Sequence, residues 1–215
     1  MANPPAKSPR TRPPEERRRQ LMTAAERLFL EKGVENTSIE DMTSGAAVSK
    51  GSFYLHFTSK ADVVEALRND FVENLVSFIT AKVEREHEGD WSARLTTWVT
   101  ACAEGYLNAT RLHHLLFSAA PAPARKGLTQ NILIDDLRDL LEAGCRDHAW
   151  SLEDPAFTAV FLFNALHAVV DQGEKGRSAE ERDALLRNIR LHTQRIISAS
   201  AIETIKAGAG DQRSP

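Results

Sequence analysis

Cysteine is scarce in this chain: Cys102 and Cys145 are the only two in 215 residues. Two thiols cannot form the disulfide framework of a small secreted scaffold, and neither sits at a metal-ligand spacing. Both are expected to be small buried hydrophobes in a reducing compartment. Long apolar runs are missing too. None reaches the roughly 18 residues a membrane span requires, and the first residues carry no apolar core of a secretory signal. The expected location is cytoplasmic, with no membrane partner. Period-two strand patterns and internal repeats are absent. So are G-x-S-x-G, a Walker loop and H-E-x-x-H. The glycines at 208 and 210 have no strand before them and no helix after them, which excludes a phosphate loop. His113 and His114 are adjacent, hence about 100° apart on a helix, and no Cys/His cluster surrounds them. No catalytic residue, metal or cofactor is expected.

Charge of one sign is also lacking. Net charge is −3, with 42% hydrophobic and 27% charged residues, ordinary for a globular protein with a sizeable core. A polycation that coats nucleic acid is excluded. The distribution is uneven, however: residues 1–60 hold ten Lys/Arg and seven Asp/Glu, leaving −6 for the remainder. A basic front and an acidic body place any polyanion contact at one end.

What is present is helical periodicity. Residues 1–14, with five prolines and Lys7, Arg10 and Arg12, read as a disordered basic arm; a solvated tail and a minor-groove contact both fit it. Residues 15–32 predict a first helix with Glu15 and Glu16 at its start, Lys32 at its end and Gly33 as terminator. Leu21, Ala25, Leu28 and Phe29 form its apolar stripe. Arg17, Arg18 and Arg19 suit either phosphate contact or a solvated face.

The segment 37–60, TSIEDMTSGAAVSKGSFYLHFTSK, is the most informative. Thr37 and Glu40 predict a capping box, and Ile39 and Met42 face inward. Ala46, Ala47 and Val48 break the helix, and Ser49 caps the next one. Phe53 and Phe57, four apart, are its buried side. Lys50, Gly51, Ser52, Tyr54 and His56 are left facing outward, a small, donor-rich face with no carboxylate among it. Such a face fits the major groove of DNA.

The run T-S-I-E-D-M, then V-S-K-G-S-F-Y-L-H-F, then S-K closely resembles the helix-turn-helix of TetR-family transcriptional repressors. Ala47 stands where that family usually has Gly, so a differently shaped turn is expected here. The resemblance implies an all-α fold: a helix-turn-helix three-helix head at residues 15–58, then a helical ligand-binding and dimerisation domain at 59–207. Residues 208–215 are expected to be a disordered tail. The candidate DNA contacts are Thr37, Ser38, Ser49, Lys50, Gly51, Ser52, Tyr54, His56 and Lys60, the last placed on the first turn of a helix capped by Ser59. The implied partners are double-stranded DNA in a palindromic operator, a second copy of the chain, and a small-molecule effector that releases the operator.

Further helices are predicted at about 59–86, 91–108, 111–119, 126–148, 154–172 and 179–206, with a loop forced by Pro121 and Pro123. The helix opened by Asp154 and Pro155 is apolar nearly all round, through Phe157, Val160, Phe161, Leu162, Phe163, Leu166, Val169 and Val170, and is expected to be buried on both sides. It and the last helix look like the TetR-family dimerisation pair. Trp98, Tyr106, Leu116, Phe117, Phe161, Asn164 and His167 are the candidate effector-lining residues, with ordinary core packing as the competing explanation. A rival reading, an all-α enzyme or small-molecule carrier with an incidental helix-turn-helix, predicts no DNA affinity above a nonspecific level.

Overall fold

Proline followed by two glutamates begins the first helix. The computed structural model describes residues 13–117, 132–171 and 177–210, with backbone alone for 197–210. Expectations for residues 1–12, the loop at Pro121 and Pro123, residues 126–131 and residues 211–215 lie outside the described residues. Among the described residues every regular element is a helix.

The described parts of Met1–Asn69 and His114–Ser118 form one compact unit, and those of Asp70–His113 and Ala119–Pro215 form a second. The division falls inside a helix, eleven residues beyond the expected boundary at 58/59. In the first unit, α1 (Pro14–Lys32) starts with Pro at its first position and ends at Gly33, whose φ of 84° needs no Cβ. Leu21, Ala25 and Phe29 are fully buried.

Helix α2 (Ile39–Gly45) is capped one residue later than the sequence suggests. Ser38 Oγ accepts from the Asp41 N–H at 3.1 Å, and Asp41 Oδ2 accepts from the Ser38 N–H at 2.8 Å. Thr37 is instead buried, its hydroxyl donating to the Gly33 carbonyl at 2.8 Å. The expected Thr37–Glu40 box is therefore replaced by a Ser38–Asp41 box. Ala47 then adopts φ 53°, the left-handed conformation that glycine enters without strain. The Ala47 N–H donates to Ser44 O and the Val48 N–H to Thr43 O, which holds the turn in that shape despite the methyl group.

Helix α3 (Lys50–Tyr54) is a five-residue helix capped by Ser49, whose Oγ accepts from Ser52 N–H at 3.1 Å. Phe53 and Phe57 are buried, and Met42 of α2 is fully buried with them. Helix α4 (Lys60–Val83) follows. Ser59 Oγ accepts from Asp62 N–H, and Asp62 Oδ2 accepts from Thr58 N–H at 2.8 Å. Val63, Ala66 and Leu67 on the first turns of α4 are buried, which explains why the first unit extends to Asn69.

The second unit is built around α5 (Trp91–Asn108), which packs on α7 (Ile132–Arg146), α8 (Pro155–Asp171) and α9 (Ala179–Gly210). Leu95, Trp98, Val99, Cys102 and Tyr106 are all buried, as their spacing predicts. On α4, Ile79 is fully buried and Phe78 is exposed. Helix α6 (Thr110–Phe117) follows α5. After α7 the chain doubles back at His148, φ 59°, and places Trp150 over the helix, its Nε1–H donating to Leu141 O at 2.9 Å. Gly144 lies beneath that indole, at a point where a Cβ would fall 2.1 Å from the ring.

Two expectations are corrected here. Helix α8 is not buried all round. Ala159, Phe163, Leu166 and Val170 face the core, while Phe157 and Phe161 are 66% and 60% exposed, because the chain's own helices cover one side only. The last helix also continues through Gly210 instead of stopping before residue 208.

Candidate nucleic-acid interface

Two serine caps and a left-handed turn fix where the outward residues of α2 and α3 stand. Ser38, Ser49, Lys50, Gly51 and Tyr54 are exposed, Tyr54 by 51%. The Tyr54 ring packs edge-on against buried Phe53, centroids 5.4 Å apart, so its hydroxyl end projects from a rigid base. Half-buried His56 lies beyond the last turn of α3.

Three expected contacts are placed elsewhere. Thr37 is 1% exposed and its hydroxyl is committed to Gly33 O. Ser52 is also buried, and its hydroxyl has no hydrogen-bond partner among the described residues; the short α3 turns it against the head rather than outward. The Lys60 ammonium donates to the carbonyls of Val34 (2.6 Å), Thr37 (3.0 Å) and Glu35 (3.3 Å). It thereby ties the α1–α2 loop to the start of α4 instead of standing free to meet phosphate.

The outward face also holds a carboxylate that the sequence reading left out. Glu40, on the first turn of α2, pairs with the Lys50 ammonium. The hydrogen bond to Lys50 holds the Glu40 carboxyl below its ordinary range, and the same bond raises Lys50. Its neighbour Asp41 is held well below the carboxylate range by Lys32 at 2.7 Å and by its cap bonds to Ser38. Arg18 lies 5.3 Å over the Phe57 ring and also donates to the Met22 sulfur. Arg17 is half-buried and Arg19 exposed.

In the second unit the candidate effector residues separate into groups. Tyr106 and His167 come together, ring centroids 5.3 Å apart. Three residues not anticipated there join them. His113 brings its ring to 4.3 Å from Tyr106 and its Nε2 to 3.4 Å from His167 Nε2. Phe71 and Phe163 pack at 5.8 Å and 6.4 Å from His113 and His167. The Tyr106 hydroxyl donates to Asp171 Oδ1 at 2.5 Å, and burial pushes its ionisation up. Trp98 is buried, and its Nε1–H donates to Asp136 Oδ2 at 2.6 Å; desolvation raises the Asp136 carboxyl. Cys102 is buried and its thiol is pushed up to about 12, again chiefly by desolvation.

The other four divide between the open side of α8 and the first unit. Phe161 and Asn164 lie on the open side of α8, where Asn164 Nδ2 donates to Val160 O of its own helix. A residue on that side cannot line an interior site of the single chain. Leu116 and Phe117 belong to the first unit, where Leu116 O accepts from Arg68 Nε at 2.7 Å and the guanidinium sits 5.8 Å from the Phe117 ring. The residues of the cluster are spread over α4, α5, α6 and α8, and a single helical pattern carries no signal for such a meeting. Among the described residues no group of three or more His, Cys, Asp or Glu could hold a metal ion, and no helix is long and apolar enough to cross a membrane.

Comparison with known proteins centres on the same stretch. Residues 21–67 match the profile of bacterial regulatory proteins of the tetR family. The HTH-type transcriptional regulator TtgR of Pseudomonas putida is 41% identical over 59 residues, 27% of this chain and 28% of that protein. The HTH-type transcriptional repressor KstR2 of Mycobacterium tuberculosis is 37% identical over 57 residues, 26% of this chain and 28% of its own. The chain thus covers little more than a quarter of the length of either relative. The fold similarity is far wider. The crystal structure of a transcriptional regulator of the TetR/AcrR family from Thermobifida fusca superposes with a TM-score of 0.66 at 21% identity, covering 83% of this chain and 97% of that one. Residues 21–67, from within α1 to the first turns of α4, are thus similar to the tetR family of bacterial regulatory proteins.

Proposed function

We propose that this protein is a DNA-binding transcriptional regulator, acting as a repressor, that binds a palindromic operator as a homodimer and leaves it when a small molecule binds the second unit. It is not read as an enzyme. The observation that carries the proposal is the outward face of Ser49, Lys50, Gly51 and Tyr54 on a capped helix, within the segment that matches the family. Lys50 and the hydroxyls of Ser38, Ser49 and Tyr54 supply phosphate and base-edge contacts, and Gly51 permits close approach. His56 stands at the edge of this face. Thr37, Ser52 and Lys60 are left out of the contact set because their polar atoms are committed or buried.

The dimer reading rests on the open side of α8. Phe157 and Phe161 stack there at 6.4 Å with an interplanar angle of 15°, and Val169 is 42% exposed two turns on. Burying two such phenyl groups against a second copy contributes roughly 1–2 kcal/mol each. Two copies then present two α3 helices to successive major grooves about 34–36 Å apart. The effector reading rests on the Tyr106–His113–His167 cluster, where polar tips meet aromatic walls. Release requires the effector to bind one arrangement of the dimer more tightly than the other.

The test is selection from a genomic duplex library followed by fluorescence anisotropy. A selected site with two-fold symmetry, bound more weakly by Lys50→Ala and Tyr54→Phe at unchanged helicity, is the expected result. Failure to enrich any sequence, or equal binding by both variants, overturns the reading.

A further inference from the structure

The Glu40–Lys50 pair is out of place in a surface built to meet phosphates. Lys50 is the first residue of α3, and Glu40 projects from the preceding helix on the same exposed face. Both side chains remain largely open to water, 57% and 63% exposed. Exposed pairs of this kind add little to folding, so the pair has little effect on holding α2 to α3. Met42 of α2 and Phe53 of α3 are both fully buried. The pair does change what DNA meets. With Glu40 beside it, Lys50 is locally neutral, and a phosphate gains its charge only by displacing the carboxylate.

Resting on the DNA-binding reading above, we propose that Glu40 is a specificity-determining residue, holding Lys50 off the backbone of unmatched DNA. On a random duplex the approach is loose, and Lys50 stays with Glu40. On a matched site, where Ser49, Gly51 and Tyr54 seat α3 closely, a phosphate or base edge competes with Glu40 for the ammonium. Glu40 therefore lowers nonspecific affinity more than operator affinity. It acts through Lys50 and touches no base itself.

The experiment is a double-mutant cycle at Glu40→Gln and Lys50→Ala, read on the selected operator and on a random duplex across a salt series. In Glu40→Gln the random-duplex affinity is expected to rise about threefold to fivefold, the range of an exposed pair. Its salt slope should steepen by about one unit as Lys50 joins the phosphate contacts. Operator affinity should change less, so the specificity ratio falls. In the Lys50→Ala background the same Glu40→Gln change should leave the random-duplex slope unaltered. If Glu40→Gln strengthens random-duplex binding equally with and without Lys50, plain charge repulsion explains it and the proposal is overturned. An unchanged slope in the single variant also overturns it while leaving the regulator reading intact. A wild-type protein that binds no duplex at low salt refutes that reading and this proposal together.

Discussion

Replacing Lys60 by methionine keeps the length of the side chain and removes three donors at once. The ammonium holds the carbonyls of Val34 and Thr37 at 2.6 and 3.0 Å, with Glu35 at a looser 3.3 Å. A hydrogen bond from a charged donor contributes about 1.5–3 kcal/mol. The site is partly buried, so water reaches it and reduces that figure, and the two shorter bonds dominate. We therefore expect Lys60→Met to destabilise the protein by about 2 kcal/mol, lowering the urea midpoint by roughly 1 M for an m-value near 2 kcal/mol/M. The assay is urea denaturation followed by circular dichroism. Operator binding, measured at a temperature where the variant stays folded, should keep its salt slope, because no phosphate contact has been removed. An unchanged midpoint with a slope shallower by about one unit would show that Lys60 leaves its carbonyls for phosphate, and would refute the assignment.

Phe161→Glu, at a side chain 60% exposed in the single chain, should convert dimer to monomer without loss of helicity; light scattering that still reports a dimer counts against the open face of α8 as the interface. Gly144→Ala drives a methyl group to 2.1 Å from the Trp150 ring, which its bond to Leu141 O holds in place. A net loss of about 2–3 kcal/mol is expected after the helix-propensity gain. Gly105→Ala meets only the tip of Leu75, at 2.3 Å, and should stay within about 1 kcal/mol of wild type; equal midpoints for the two variants refute the distinction. The Asp136 carboxyl is raised by desolvation, so the folded chain holds that proton more tightly than the unfolded chain. Stability then falls as pH rises from the ordinary carboxylate value through the raised one. Asp136→Asn, which keeps an acceptor for Trp98, should melt higher than wild type at pH 7–8 and lose that advantage below about pH 4; a constant difference across pH would show that charge is not the cause.

The sequence by itself determined where most of the described helices lie. Those features rest on local physics. Glu15 and Glu16 start α1 and Gly33 stops it, Ser49 and Ser59 cap their helices, and Leu95 to Tyr106 repeat at helical spacing, all among residues within a turn or two of each other. Only the tertiary structure decided which polar atoms remain available. Lys60 reads as a phosphate contact until carbonyls 23 to 26 residues earlier come within 3.3 Å of it. Ser52 reads as outward until a five-residue helix turns it under. Lys50 reads as a free cation until the turn at Ala47 brings Glu40 beside it. The same holds for His113 and His167, 54 residues apart and in contact. Periodicity fixes the direction of a side chain relative to its own helix axis. Its hydrogen-bond partner depends on where a second helix crosses the first, which no single helical pattern contains.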